Sequence, residues 1–205
     1  DYPDGFEPNK DFKSLRVGYL KKDIEKDTSL SKANLEKALQ TFKKMGITLN
    51  EVELPEDVPY SSFDVILRAE AGAFFDVLVR SRNVDKMVEQ DQRSRANSLR
   101  QARFIPAVEY LQANRHRQVL IEKMEVIMKD YDILISPTFG NRQLIITNLT
   151  GHPVISIPTG LDKEKHPTSI TLVGNLYDEA SILLLAKIFQ ENTEFDEMHP
   201  AGYRD

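Results

Sequence analysis

The 205-residue sequence has no cysteine, no excess of basic residues and no long apolar run. Without cysteine, the chain has neither a disulfide framework nor thiol chemistry. Its 27 lysines and arginines are outnumbered by 32 aspartates and glutamates, giving a formal net charge of -5. This balance argues against a general nucleic-acid binder or a binder of anionic membranes. No apolar stretch approaches the roughly 20 residues that a membrane-spanning helix requires, so an ordinary globular domain is expected.

The first residues are typical of a linker. The sequence begins at Asp1 rather than at a methionine, and residues 1–9 (DYPDGFEPN) contain proline and glycine. Nothing in them resembles a signal peptide, so the cytoplasm is the default expectation for the compartment. We therefore expect residues 1–14 to be a linker within a piece cut from a longer protein.

A strand–helix–strand unit is predicted after this linker. Residues 15–20 alternate weakly as a strand does, whereas residues 21–30 are charged and typical of a loop. A helix then follows, with Ser31 as its N-cap and Gly46 as its C-cap. Residues 48–54 alternate again as a second strand, and such a unit predicts a parallel crossover.

Helical periodicity dominates the middle of the chain. Residues 62–79 carry one apolar face, residues 81–99 are polar and poorly periodic, and Pro106 suits the first position of a long helix. His116 falls within the apolar stripe of that helix, so we expect it to be packed. The stripe is formed by Ala113, Leu120, Met124 and Ile127.

The stretch from residue 131 to residue 158 predicts a strand, a loop, a tight turn and a second strand. Residues 133–135 form a continuous apolar run, as a strand covered on both faces does, and it ends at Ser136-Pro137-Thr138. Residues 148–153 (NLTGHP) are rich in turn formers. Residues 154–157 then predict a buried strand that ends at Pro158. Two buried strands with a polar loop at a shared end are typical of the edge of an α/β sheet where ligands bind.

The last elements predicted are a strand and a helix. Residues 169–174 (SITLVG) read as the strand, and Asp178 or Glu179 opens the helix. Residues 192–205 are a polar tail. The helix is expected to bury Ile182, Leu183, Leu185, Ala186 and Phe189.

These pieces occur in the order typical of one enzyme family. YDILISPT matches a strand D-x-L-x-x-P-T, NLTGHPVISIPTG matches a turn N-x-T-G-x-P and a strand S-x-P-x-G, and DEASILLLA matches a helix that opens with Glu and leads to Leu-Leu. Ala113, Arg117 and Leu120 fit an A-x-x-x-R-x-x-L helix. Over residues 15–189 the chain resembles the carboxy-terminal half of the amidase-signature family, which includes bacterial amidases, fatty-acid amide hydrolases and the A subunit of tRNA-dependent amidotransferases.

The resemblance implies a fold and a division of the chain. The fold is α/β, a three-layer α/β/α arrangement with a mixed sheet. Residues 15–191 would be the C-terminal part of an amidase domain, between the linker at 1–14 and the tail at 192–205. The intact parent would act on a small-molecule amide, without a cofactor or metal, and its missing N-terminal half would be the partner of this piece. A severed half is expected to self-associate through the surface it exposes.

The catalytic residues of the family lie outside this resemblance. Family members use a serine nucleophile, a bridging serine and a lysine base in their amino-terminal half, with a Gly/Ser-rich loop supplying oxyanion donors. This sequence has no such Gly/Ser-rich run, no G-x-S-x-G and no lysine in a Ser/Gly-rich context. We therefore predict that no catalytic residue is present and that the chain does not hydrolyse amides unaided.

The loop and the turn of the central stretch approach the active site in the family. They map to the pocket candidates Thr138, Phe139, Asn148, Thr150 and Gly151. Their amide and hydroxyl groups either contact a substrate or only hold the turn, and both interpretations remain open. Arg93 or Arg95 is a loose candidate for binding a substrate carboxylate. Arg117, Pro153 and Glu179 are assigned structural roles by the resemblance.

Three local alternatives, a triad, a metal site and an arginine clamp, are weaker on the residues themselves. Ser136, Ser156, His152 and Asp132 are close in sequence, but hydroxyls in strands usually bond to backbone and a histidine between glycine and proline suits a turn. The four histidines also lack the spacing of a metal site. The arginines between residues 93 and 117 form either a carboxylate or phosphate clamp or, as we favour, a solvated helix face with one structural ion pair from Arg117.

Departures from the family pattern narrow the expected chemistry. No acid lies between Thr138 and Thr150, where the amidotransferase branch carries a longer segment with one. PTSIT at residues 167–171 replaces the P-x-G-x-Q of the family. Both departures argue against glutamine-dependent amidotransfer and favour an amidase for another small or aryl amide. The alternatives are a free-standing, non-catalytic binding domain with an amidase-like half-fold and an RNA-associated scaffold.

Overall fold

The computed structural model describes residues 11–139, 141–199 and 202. The described residues up to Pro55 and from Lys123 onward form one compact unit, and Glu56–Glu122 form the other; they are called the first and second units below. In chain order the elements are β1 (Val17–Tyr19), α1 (Lys21–Lys26), α2 (Lys32–Lys44), β2 (Leu49–Glu51), α3 (Asp64–Phe74), α4 (Asp76–Arg80), α5 (Arg95–Gln101), α6 (Ala107–Met128), β3 (Ile133–Pro137), α7 (Asn141–Thr150), β4 (Val154–Leu161), β5 (Pro167–Gly174) and α8 (Glu179–Glu191).

The first unit is built on a mixed five-stranded sheet with the order β2-β1-β3-β5-β4. Strands β2, β1 and β3 are parallel, with Val17 opposite both Leu49 and Ile133. Strand β5 is antiparallel to both of its neighbours, β3 and β4. Every residue of β3 is buried, so both faces of this central strand are covered. The arrangement confirms the predicted α/β class.

The main core lies on one face of this sheet, where alternate apolar residues of the strands meet α2 and α8. Val17, Ile133 and Ile170 are fully buried there. The rings of Phe42 on α2 and Phe189 on α8 pack together, with centroids 4.7 Å apart. Burying two phenylalanines and a row of β-branched residues is the main source of stability that this face offers.

The strand–helix–strand unit at the start is confirmed, with one correction. β1 and β2 pair in parallel, Ser31 occupies the N-cap position of α2, and Gly46 adopts a left-handed φ of +92° just after the helix. The expectation of a loop over residues 21–30 is wrong for Lys21–Lys26, which form α1. Ile24 anchors this helix in the core. A helix with one buried apolar residue has no periodicity from which it could be recognised.

The stretch between β3 and β4 differs from the expectation of a loop and a tight turn. Asn148 and Thr150 belong to α7, and the chain turns at Gly151, which has a φ of +84°. Threonine is accommodated in this helix because its hydroxyl bonds to the preceding turn: Thr150 Oγ1 donates to the Ile146 carbonyl at 2.8 Å. β5 lies between β3 and β4 and is antiparallel to both, so β3 and β4 run in the same direction. The end of β3 and the start of β4 therefore lie at opposite ends of the sheet, and the expectation of a shared end is wrong.

Strand β4 lies at the edge of the sheet and is less buried than predicted. Val154 is 47% exposed and Ser156 is also exposed. The strand does not end at Pro158 but continues to Leu161, with an irregularity in its pairing between Pro158 and Gly160. Proline has no N–H to donate to a neighbouring strand. It is tolerated there because an edge strand or a bulge does not require that hydrogen bond.

The last strand and helix agree with the sequence. β5 contains the predicted residues 169–174, and Asp178 caps α8 by accepting a hydrogen bond from the Ser181 amide at 3.2 Å. Leu183, which the periodicity places in the core, is exposed. It points away because the buried stripe of α8 runs through its neighbours Ile182, Leu184 and Leu185.

The second unit contains shorter helices than predicted. The helix expected over residues 62–79 is divided at Phe75 into α3 and α4, and Phe74 and Val77 of its supposed apolar face are about 80% exposed. A small cluster is formed by Val84, Ala96 and Leu99. Ala96 and Leu99 lie on α5, which begins within the stretch of residues 81–99 that is poorly periodic in the sequence.

The long helix α6 follows Pro106 as predicted. Ala113, Leu120 and Met124 of its stripe are buried, and Ile127 is half-buried. The expectation of a packed His116 is wrong, because its side chain is exposed. In the part of the chain that the structure describes, no helix has both the length and the apolar character to cross a membrane.

Most of the linker assigned to residues 1–14 lies outside the described residues, which begin at Asp11. The proposed boundaries after residues 14 and 191 stay predictions.

Candidate functional site

A cavity of about 620 Å³ lies in the first unit. It is located where β3 and β4 end and β5 begins, and α1 and the segment joining it to α2 form its other wall. The carboxyl ends of parallel strands are the common place for ligands in α/β sheets, because loops of different strands converge there. The wall has hydroxyl groups from Thr28, Ser29, Ser31, Thr138, Thr168 and Ser169.

Hydrogen bonds between strands hold several of these hydroxyls in place. The hydroxyl of Ser169 donates to Thr138 Oγ1 at 2.9 Å, and that of Thr171 donates to the same oxygen at 3.2 Å. Ser156 Oγ lies 3.1 Å from Thr171 Oγ1, since the two residues are opposite each other in the β4–β5 ladder. The side chain of Thr138 is therefore fixed by two neighbours on β5.

A second set of bonds ties the cavity wall to α2. The Asn34 side-chain amide donates to Thr168 Oγ1 and to the Leu161 carbonyl, both at 2.9 Å. Thr168 also lies 2.9 Å from the Thr159 hydroxyl and donates to the Gly160 carbonyl. Thr168 thus has its hydrogen-bonding capacity filled by the fold.

The charged side chains on the wall are Asp23, Lys26, Asp27, Arg142 and Asp162. Asp162 accepts hydrogen bonds from the backbone amides of His166 and Glu164, which hold the pKa of its carboxyl below the ordinary value. Asp27 accepts from the Ser29 amide at 2.8 Å. Among the described residues, Asp23 and Lys26 have no hydrogen-bond or ion-pair partner. The wall therefore combines carboxylates used by the fold with one that is not.

The pocket residues predicted from the central stretch fall into two places. Thr138 and Phe139 line the cavity, and Phe139 is 90% exposed at its rim. Asn148, Thr150 and Gly151 lie at the opposite end of α7 and do not line it. Their roles in a substrate pocket stay predictions.

The other predicted residues are spread over the chain. Arg93 and Arg95 are exposed in the second unit. Arg117 is half-buried on α6, and Glu179 is the first residue of α8. The Pro153 carbonyl accepts a hydrogen bond from the Gly174 amide at 2.9 Å, which extends the pairing of β4 and β5. The functional assignment of the two arginines and the structural assignment of Arg117, Pro153 and Glu179 stay predictions.

The arginines of the second unit are engaged in more ion pairs than expected. Arg100 pairs with Asp85 and also donates to Gln90 Oε1 at 2.9 Å. Arg103 pairs with Asp76. The acids come from segments upstream of the arginine-rich stretch, which is why a count of acids within that stretch could not reveal them.

His152 lies in the segment that joins α7 to β4, and its side chain is buried. Its Nδ1 lies 2.7 Å from Thr150 Oγ1. The hydroxyl proton of Thr150 is already donated to the Ile146 carbonyl, so Nδ1 must carry the proton of this bond. Burial lowers the pKa of His152, because the charged imidazolium loses hydration there. The residue is a neutral structural histidine that links α7 to β4.

The four residues considered for a local triad do not assemble into one. Ser136 donates to the Pro137 carbonyl and Ser156 bonds to Thr171. Asp132 is bound by Arg16 at 2.6 Å, and the partner of His152 is Thr150. Each group is used elsewhere. In the described residues no cluster of three histidine, cysteine, aspartate or glutamate side chains could hold a metal ion.

Sequence reasoning missed the wall formed by α1 and the segment after it. The signal was present in EKDTSLS at residues 25–31, where acids and hydroxyls follow the carboxyl end of β1. The same rule that pointed to the end of β3 applies to β1, since the two strands are parallel neighbours.

The mixed sheet and its cavity define an α/β protein with a cavity at the ends of its strands. The model of the family described as Amidase matches residues 3–146, which is more than half of the chain. The chain therefore belongs to the amidase-signature family, as its motifs indicate.

A curated relative is the A subunit of glutamyl-tRNA(Gln) amidotransferase from Oceanobacillus iheyensis. It is 26% identical over 235 aligned residues, which cover 93% of this chain and 47% of the relative. The chain spans about half the length of the curated relatives it matches.

Solved structures show the same fold at lower identity. A bacterial aryl acylamidase of the amidase-signature family matches with a TM-score of 0.70 and 13% identity, covering 93% of this chain and 46% of that one. The A subunit of the Thermotoga maritima glutamyl-tRNA(Gln) amidotransferase matches with a TM-score of 0.65 and 18% identity, covering 89% and 43%.

Proposed function

We propose that this chain is the C-terminal, pocket-forming portion of a serine amidase that hydrolyses carbon–nitrogen bonds other than peptide bonds. The proposal is supported by the match of the family model to most of the chain, together with the length of the chain, which is about half that of its curated relatives. The nucleophilic serine, the bridging serine and the lysine base would then come from a catalytic half that is not part of this chain. Its partners would be that half and a small-molecule amide.

The serines and the cavity of this chain are consistent with such a division of work. Ser136 bonds to a backbone carbonyl and Ser156 to a threonine hydroxyl, rather than to a histidine or lysine that could activate either serine. The cavity supplies fixed hydroxyls and carboxylates, which is what positioning a substrate requires. A catalytic half would supply the reacting groups, and this chain would orient the amide.

The edge of the sheet offers a place for the missing half. In the described residues β4 pairs with β5 on one side only, and its exposed Val154 and Ser156 lie on the same face. An unpaired edge strand exposes N–H and C=O groups that another chain can bind. Without its catalytic half, the purified chain is expected to self-associate, which sedimentation velocity measures.

The test compares the chain alone with the complete parent protein. Each is incubated with a fluorophosphonate probe, which labels activated serines, and is assayed for ammonia release from a panel of small amides. We expect labelling and turnover in the parent, with the label outside these 205 residues, and neither in the chain alone. Serine-dependent turnover by the purified chain would contradict the proposal, and heat-denatured chain is the control for nonspecific labelling.

A second candidate is a free-standing binding domain that retains half of an amidase fold without catalysis. The observation in its favour is that all the walls of the cavity come from the first unit. A free-standing domain would be monodisperse and would melt cooperatively. Self-association of the chain, relieved by adding the catalytic half, would exclude it.

A further inference from the structure

The two edges of the five-stranded sheet differ in how they are protected against further pairing. Strand β2, at one edge, has three residues, and its Glu51 forms an ion pair with Lys21 at 2.6 Å. A second ion pair, between Lys22 and Glu53, follows just beyond the strand. Strand β4, at the other edge, has eight residues, and none of them carries a charge. Short edge strands and charged side chains discourage edge-to-edge pairing, so β2 is protected and β4 is not.

The ladder with β5 fixes which backbone groups of β4 face outward. The Pro153 carbonyl accepts a hydrogen bond from the Gly174 amide at 2.9 Å, so residue 153 faces β5. In an antiparallel pair, residues alternate between those whose N–H and C=O face the neighbouring strand and those that face away from it. The pairing is regular up to Pro158, so Ile155 and Ile157 face β5 as well. The outward set is formed by Val154, Ser156 and Pro158.

Two prolines limit the part of this edge that can pair with a further strand. Val154 and Ser156 each turn both an N–H and a C=O outward, whereas Pro158 has no N–H to offer. Pro153 comes directly before this segment. Within the described part of the chain, no strand pairs with these outward groups. Residues 154–156 therefore form a short pairing edge with donors and acceptors at matching positions.

We infer that two copies of this chain pair through their β4 edges, antiparallel to each other and related by a two-fold axis at Ile155. Val154 of one copy then lies opposite Ser156 of the other, and the symmetry repeats this pair. Each pair exchanges both of its N–H···O=C bonds, so every outward N–H of residues 154–156 is used. The two sheets become one continuous sheet.

The chemistry of the edge favours a second copy as the occupant. A two-fold interface must be complementary to itself, and residues 154–156 present donors and acceptors in equal number. The strand has no charge that would repel its own copy. A register with Ser156 opposite Ser156 would place Pro158 opposite Val154, where the proline cannot donate to the ladder. The register centred on Ile155 leaves both prolines outside the paired segment.

Exposed apolar side chains border this edge. Val154 is 47% exposed, and Leu176, in the turn after β5, is 41% exposed. Leu176 lies beside the start of β4, since a Cβ atom at Gly151 would be 3.9 Å from its Cδ2. Pairing through β4 removes part of this apolar surface from water. The paired segment is short, so we expect a weak dimer that depends on concentration.

This inference rests on the proposed function in one respect. It names the surface and the symmetry of the self-association that is expected of a chain without its catalytic half. The edge of β4 is open to a second copy only while no other strand occupies it.

Amide hydrogen exchange, followed by NMR at low and high protein concentration, tests the inference, because β4 contains its own control. The amides of Ile155 and Ile157 are bonded to β5 and should exchange slowly at both concentrations. Those of Val154 and Ser156 should exchange at least about tenfold more slowly at the high concentration. Exchange at Val154 and Ser156 that does not change with concentration, or a chain that sedimentation velocity shows to be monomeric throughout, overturns the inference.

The absence of cysteine allows a second test by disulfide formation. Ile155→Cys places two thiols across the axis, at a non-hydrogen-bonded pair whose Cα atoms are about 4.5 Å apart, within the range of a disulfide. Ser156→Cys places them at diagonal positions about 7–8 Å apart, beyond that range. Asn50→Cys, exposed on β2, is the control at the other edge.

Under mild oxidation, we expect Ile155→Cys to form the cross-linked dimer at least about fivefold faster than the other two variants, measured on non-reducing gels. Equal rates in the three variants, or the fastest rate in Asn50→Cys, contradict the two-fold arrangement.

A charge variant decides if Ile155→Cys does not fold, because it alters only an exposed side chain. Val154→Lys is expected to raise the dissociation constant of the dimer at least about tenfold, since a lysine on an edge strand opposes pairing. Leu144→Lys, at an exposed leucine of α7, is the matched control and should leave the constant unchanged. Equal effects of the two lysines contradict the assignment to β4.

The result can be separated from the outcome for the proposed function. Pairing through β4 in a chain whose complete parent shows no labelled serine and no amide turnover would sustain this inference and refute the proposed function. A chain that stays monomeric, with an active parent, would do the reverse.

Discussion

The two units of this chain differ in how they bury apolar side chains. The core cluster of the first unit contains 18 buried residues from both strands and helices. One cluster of the second unit is formed by Val84, Ala96 and Leu99, with four partly buried residues packed against it. Five further apolar side chains among the described residues of this unit are also buried: Val58, Phe63, Ile66, Ala113 and Leu120. Meanwhile Phe74, Val77 and Val88 of the second unit are largely exposed. A sheet with helices against it encloses many alternating residues at once, whereas short helices with few periodic positions enclose few.

This difference predicts that core truncation is most costly in the first unit. Phe42→Ala removes a fully buried ring that packs on Phe189, and we expect a loss of about 3–5 kcal/mol in the free energy of unfolding. Urea unfolding followed by circular dichroism measures it. A loss below about 1 kcal/mol would show that the cluster is not the main stabilising core.

A smaller effect is expected in the second unit. Leu99→Ala removes a buried side chain from the small cluster, where few neighbours are lost and the surroundings can collapse, so we expect about 2 kcal/mol. Hydrogen exchange should become faster in α5 while β3 remains protected. Equal acceleration in both elements would mean that the two units unfold together.

Close packing within the second unit gives a third prediction. A methyl group at Gly72 would overlap the Ala102 methyl, so Gly72→Ala is expected to destabilise by about 1–2 kcal/mol although alanine favours helices. Adding Ala102→Gly should recover part of that loss. Higher stability in Gly72→Ala alone would show that α3 and the segment at residue 102 separate easily.

The smallest effect concerns pH in the first unit. Burial lowers the pKa of His152, so the unfolded chain, with a histidine pKa of about 6.5, takes up the proton first as pH falls. The contribution of His152 to stability is therefore complete above that pKa and is lost progressively below it. His152→Gln should show a shallower loss between about pH 7 and pH 5 than the native chain, measured by urea unfolding.

The matched control for this prediction is His116→Gln, which alters an exposed histidine. It shows how much of the change comes merely from replacing a histidine. If both variants behave alike, the acid sensitivity of the chain comes from other groups.

Some elements can be predicted from the sequence because their burial repeats at the period of the element. β3 is evident from Ile133, Leu134 and Ile135, since a strand covered on both faces is apolar at every position. α2 and α8 are evident from apolar stripes and capping residues. In each case the local pattern and the tertiary environment agree.

α7 and the order of the strands could not be predicted in this way. The buried side of α7 includes Gln143, Thr147 and Thr150, so the helix buries a polar stripe that hydropathy cannot show. The exposure of Val154 depends on β4 being an edge strand, which is a property of the whole sheet. Among the residues that line the cavity, Thr138 and Phe139 were indicated by the family motif. Asp23 lies on the same cavity wall only because β1 pairs with β3, which the local sequence does not show.

The exposed ring at the rim of the cavity has a practical consequence. The sequence contains no tryptophan. Phe139→Trp would therefore introduce a single indole beside the cavity, and its emission would depend on how much water surrounds that position. Stopped-flow fluorescence of this variant could time the arrival of a ligand at the rim and, in the same trace, the docking of a second protein against it.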